Sequence, residues 1–139
     1  MSILHPRTFV LLACACFLHE ARAAESSIEI PAGVVTHADG RAPIEALYRA
    51  ALGLVEQGWH AEVIAQSAPA GTTAPLPIIA LRSPKTGPAV WILAGIHGEE
   101  PAGPNAIAAE VEDIAALGAS QPVVLMPLLN PQGYARNWR

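Results

Sequence analysis

The chain has 139 residues, 52% of them hydrophobic and 14% charged, with a formal net charge of −4 at pH 7. That suits one small globular domain rather than two, and an acidic balance with no basic stripe excludes nucleic acid as a partner. The only two cysteines, Cys14 and Cys16, lie near the N-terminus, so the rest of the chain has neither a disulfide framework nor thiolate metal ligands.

His5 and Arg7 precede the apolar run "TFVLLACACFL", which is too short to span a bilayer, and "ARA" at 21–23 supplies an A-x-A site. Residues 1–23 therefore read as a secretory signal peptide cleaved near Ala23, and the protein as exported, either periplasmic or secreted. "LLAC" ending at Cys14 keeps a lipoprotein as the alternative. No later segment could span a membrane, so no stable membrane insertion is expected after cleavage. Residues 24–40 form a polar lead-in, punctuated by Gly and Pro and partly extended.

Pro43 opens a helix in which Ile44, Leu47, Tyr48, Ala51, Leu52 and Val55 form one apolar face, and Gly58 ends it. "WHAEVIAQS" alternates loosely and reads as a strand. "APAGTTAP" is a turn region, "LPIIALRS" a second strand, "PKTG" a turn, and "AVWILAGI" a third strand. A second amphipathic helix runs from Ala102 to Leu117, with Ile107, Val111, Ile114 and Leu117 on one side and Gly118 as its stop. "PVVLMPLLN" is a fourth strand, apolar enough for burial on both faces. Its outer neighbours are expected from further sequence, and "NPQGYARNWR" is expected as a polar loop.

Strand, helix and strand over 89–129 predict an α/β layer in which that strand pair is parallel and joined by a crossover helix. Ligands in such folds gather at the carboxyl ends of strands. His97 lies at that end of the third strand, and Asn130 opens the loop at the same end of the fourth. His97 and Glu100 are three residues apart in a turn entering a helix, so both can face one side and reach a common zinc ion. Gly98 lets that turn tighten. Glu99 is expected to point elsewhere and favour the helix N-terminus. Two ligands fall short of the usual three plus water. A plain loop hydrogen bond serves H-x-x-E equally well. An oxyanion loop of a serine hydrolase also fits "HG", although a G-x-S-x-G elbow is absent from the sequence.

Taken together, "GIHGEEPAG" and, further on, "NPQGYARNWR" resemble the zinc carboxypeptidases of the M14 family, as does "LPIIALRS" as the strand before the zinc strand. The resemblance covers residues 40–139, with Gln132 in place of the usual aspartate. It implies a three-layer α/β/α fold with a mixed, largely parallel sheet, residues 41–139 being the N-terminal part of a larger, truncated domain. It implies Zn2+ as cofactor, His97 and Glu100 as metal ligands, Arg139 as the arginine that polarises the scissile carbonyl, and Arg136 as the second candidate for contacting substrate. The implied activity is release of C-terminal amino acids from a peptide substrate. Amidohydrolases of the desuccinylase and aspartoacylase type share the H-x-x-E arrangement and are the alternative, as is a non-catalytic remnant. The family's third ligand (a histidine), its Asn-Arg pair and its catalytic glutamate come later than these motifs, and His37 and His60 do not match the third ligand. The chain alone is therefore expected to be inactive and to bind zinc weakly.

Overall fold

A computed structural model describes residues 28–32, 34, 37–67 and 75–139. The expected signal peptide, the lipoprotein alternative and much of the lead-in lie outside the described residues.

Helix α1, Ile44–Leu52, buries Ile44, Leu47, Tyr48 and Ala51, the i, i+3, i+4, i+7 face expected from the sequence. Pro43 precedes its first turn, where a missing N–H costs nothing, and its carbonyl accepts from Ala46 N and Leu47 N at 2.9 and 3.1 Å. The helix does not run on to Gly58. It tightens into a 3-10 segment, Gly53–Gln57, which buries Leu54, because Gly53 is a poor helix former and the tighter turn suits a helix end. Gly58 then takes the left-handed conformation, φ 85°.

Strands β1 (His60–Ser67), β2 (Leu76–Arg82), β3 (Val90–Leu93) and β4 (Val123–Met126) form one sheet in the order β1-β2-β4-β3. β1 with β2 and β2 with β4 are antiparallel, and β3 with β4 is parallel. The sheet is thus mixed, and the parallel pair is the one joined by the helical crossover. Two helices form that crossover, not one: α2 (Ala102–Ala109) and α3 (Val111–Ser120). They are separated at Glu110, φ −103° and ψ 22°, where no glycine or proline marks the break. Ile107 and Ile114 still both enter the core.

Gly118 does not stop α3, which continues to Ser120. A Cβ at Gly118 would lie 2.1 Å from the Trp59 ring, so the glycine admits the indole against the helix.

Register assigns the two faces of the sheet. Leu81, Leu125 and Ile92 share one row and join α1, α2 and α3 in the core. Arg82, Val124 and Trp91 form the next row on the opposite face. Trp91 and Leu93 there are 56% and 47% exposed. β4 does not lack neighbours: it lies between β2 and β3, and the outer strands among the described residues are β1 and β3. Among the described residues no helix is long and apolar enough to cross a membrane.

The expected polar loop after β4 is instead helix α4, Pro131–Arg136. Asn130 caps it, its side chain accepting from Gly133 N at 2.8 Å, and Pro131 occupies the first turn. Asn-Pro is a helix-start signal as well as a turn signal. The helix ends at Asn137, whose φ of 54° is left-handed, a conformation asparagine tolerates better than most residues.

Candidate functional site

Beyond β3 and β4 the two chains keep running side by side. Leu129 N donates to Ala94 O at 3.0 Å and Asn130 N to Gly95 O at 2.8 Å. The Asn130 side-chain amide donates to Ile96 O at 3.3 Å. The loop carrying His97 is therefore laced to the start of α4, at the carboxyl end of the parallel pair where the sequence places it.

The contact closes to backbone on backbone at Gly98. A Cβ there would fall 1.9 Å from the Gly133 carbonyl carbon and 2.3 Å from Tyr134 N. Gly98 is thus required by the approach of α4, and not only by the tightness of its own turn.

His97 Nδ1 lies 3.3 Å from Glu100 Oε1, so the two proposed ligands do face each other. A tetrahedral zinc with bonds of 2.0–2.1 Å sets neighbouring ligand atoms roughly 3.3 Å apart, which matches this spacing. The side chains are 37% and 64% exposed, open enough for an ion to reach. Among the described residues no group of three or more His, Cys, Asp or Glu is arranged to hold a metal.

Arg139 completes the cluster. Asn137 turns the chain back after α4, and the Arg139 guanidinium then lies 3.4 Å from His97 Nε2 and donates to Glu99 Oε1 at 3.3 Å. A guanidinium only donates, so this contact is a hydrogen bond in the tautomer with Nε2 unprotonated, in which Nδ1–H donates to Glu100. A metal at Nδ1 would have to displace that proton. Glu99 does not stand apart as expected: it shares Arg139 with His97, while its Oε2 is buried with no hydrogen-bond partner among the described residues. Two carboxylates against one guanidinium leave the cluster negative with neutral His97, a field that favours a cation. Arg136 sits exposed in the last turn of α4. Arg139 contacts His97 and Glu99. His60 begins β1 and is exposed, as is His37 in the lead-in.

Behind the cluster lies a charged group that sequence reasoning passed over. The Arg41 side chain is fully buried. Its Nε donates to both Asp39 oxygens, at 2.9 and 3.0 Å, and one terminal nitrogen donates to Asp39 at 2.6 Å and to Asn137 Oδ1 at 2.7 Å. The other donates to Gly98 O at 3.1 Å and to Tyr134 O. The guanidinium also lies over the Tyr134 ring, 4.7 Å from its centre, a cation–π contact. These hydrogen bonds from Arg41 hold the Asp39 carboxyl down at about 2. Burial pushes the Tyr134 hydroxyl up to about 12. That hydroxyl donates to Ala42 O at 2.9 Å, and Asn105 of α2 fixes the same stretch through Ala42 N and Gly40 O at 3.0 and 2.9 Å. The sequence signal was slight: an aspartate two residues before an arginine, "DGR", in a chain poor in charge.

No family model matches the chain, and no curated protein or solved structure matches it either.

Proposed function

We propose that this protein is an exported zinc metallocarboxypeptidase, with His97 and Glu100 as two of the metal ligands and Arg139 as the arginine that meets the substrate carbonyl. The same proposal takes the described sheet as part of a three-layer α/β/α domain in which further parallel strands extend the β3 edge. The observation that carries it is the 3.3 Å His97–Glu100 spacing with Arg139 against the same imidazole. Two motifs recognised separately in the sequence meet in one cluster.

Zinc would supply Lewis-acid polarisation of the carbonyl and a water acidic enough to attack near neutral pH. The residues present do the rest of what can be derived. In the metal-free protein Glu100 accepts from Nδ1–H and fixes the ring plane of His97, so that both ligand atoms already face the position zinc would take. Glu99 holds Arg139 at the mouth of the cluster, so that its charge is in place before a carbonyl oxygen becomes negative. Such pre-set charge is most effective where it meets charge that develops in the transition state. The site requires a third ligand and a general base beyond these residues.

Protein isolated from its own cells, together with whatever further chain or partner completes the site, provides the test. It should contain zinc and release C-terminal amino acids from peptides in a chelator-sensitive manner. Cleavage of N-acyl amino acids in place of peptides would transfer the site to the amidohydrolase class. Zinc-free protein with no activity restored by zinc would contradict both.

A further inference from the structure

We propose that Arg41 is the positioning residue of this site, the group that sets the distance between His97 and Arg139. The inference deepens the metallopeptidase assignment and rests on it for its catalytic meaning.

The partners of the guanidinium come from three parts of the chain. Asp39 is two residues away, whereas Gly98 is 57 residues away and Tyr134 and Asn137 are 93 and 96 away. Gly98 is the neighbour of His97. Asn137 is two residues before Arg139. One rigid, planar group thus holds the backbone beside the proposed ligand and the turn that delivers the arginine. Arginine offers five N–H donors in a fixed fork, and the contacts to Asp39, Gly98, Tyr134 and Asn137 use the whole fork.

A charge that has lost all contact with water contributes little net stability, and apolar side chains often replace such groups without loss. What an apolar side chain cannot replace is the geometry. With Arg41 gone, the Gly98 carbonyl and the Asn137 amide lose their shared donor. What then holds the two loops is the packing of Gly98 on Gly133 and the bonds of Leu129 and Asn130 to Ala94, Gly95 and Ile96, which meet the chain before His97. Lysine keeps the charge but is a point donor that cannot bridge four acceptors at these angles.

His97 itself gives the readout. Its Nε2 nitrogen resonance in the metal-free protein reports whether Arg139 is in contact. In Arg41→Lys that resonance should move toward its position in Arg139→Ala, while the methyl signals of Ile79, Leu81 and Leu125 in the core stay in place. Zinc affinity should fall about tenfold, the size of effect typical when a group that orients a ligand is lost. A folded Arg41→Lys protein with an unmoved His97 signal would overturn the proposal. Should Arg41→Lys fail to fold, Asn137→Gly decides: it keeps the left-handed turn and removes only one acceptor of the guanidinium, so the shift should be smaller and in the same direction, and no shift would overturn the proposal. A His97 signal that responds to Arg41 in a protein that binds no zinc would support the positioning role and sink the metallopeptidase assignment.

Discussion

Replacing Gly98 by alanine puts the closest contact of the site under direct strain. The added carbon would sit 1.9 Å from the carbonyl carbon of Gly133 and 2.3 Å from Gly133 O and Tyr134 N. Carbon atoms in contact lie about 3.5–4.0 Å apart, so the two backbones must part by roughly 1.5 Å, and neither is the flexible end of a side chain. Overpacking of this kind costs about 1–3 kcal/mol. A parting that large also stretches the 3.1 Å Arg41–Gly98 bond past hydrogen-bonding range, and a bond to a charged group contributes about 1.5–3 kcal/mol. The expected loss is therefore about 3–5 kcal/mol, at the upper end of what a single substitution does. Urea unfolding followed by circular dichroism measures it. Gly53→Ala is the matched control: it has open space around its Cβ and a helical backbone, so it should be neutral or stabilise by about 0.4–1 kcal/mol. A Gly98→Ala protein within about 1 kcal/mol of wild type would refute the close approach of the two loops.

Three further outcomes are expected. Because Asp39 is held at about 2 against an ordinary 3.8, its contribution to stability is complete above about pH 4 and is lost as pH falls toward about 2; Asp39→Asn should flatten that part of an acid titration, and an unchanged acid limb would contradict the pairing. Tyr134 has the opposite sign: with its folded value raised to about 12, stability is intact below about pH 10 and falls as pH rises through 12, an alkaline loss that Tyr134→Phe should reduce at the expense of about 1 kcal/mol at neutral pH from the missing hydroxyl bond. At the β3 edge, Trp91→Lys should lower self-association in light scattering, because an apolar outer strand without a charge invites pairing; equal association would place the sticky surface elsewhere.

Local pattern carried much of this fold. The apolar face of α1 needs only the 3.6-residue period, and both Leu81 and Leu125 sit in strands delimited by turn residues. The crossover between β3 and β4 followed from strand–helix–strand order. What local pattern could not supply was spatial order. β4 reads as the strand without neighbours because it comes last, yet it inserts between β2 and β3. Helix α4 was hidden because Asn-Pro-x-Gly serves turns and helix starts alike, and the six residues of α4 are too few to show a period. In the site, H-x-x-E and the terminal arginine were legible as spacing and motif. Glu99 was misplaced because its partner, Arg139, is 40 residues away. Arg41 was missed for the same reason on a larger scale: three of its four partners are separated from it by 57 residues or more, and no window of sequence holds them together.

The most direct measurement is a zinc titration of the purified chain followed at individual histidine and glutamate side chains. Zinc should perturb His97 and Glu100 together and saturably, with Nδ1 losing its proton. Glu100→Gln should weaken binding by about tenfold or more, since loss of a ligand costs at least as much as loss of a group that merely orients one. Glu99→Gln should change it far less. Zinc that settles on His37 or His60, or that leaves His97 untouched at saturation elsewhere, would contradict the assignment of this cluster as a metal site.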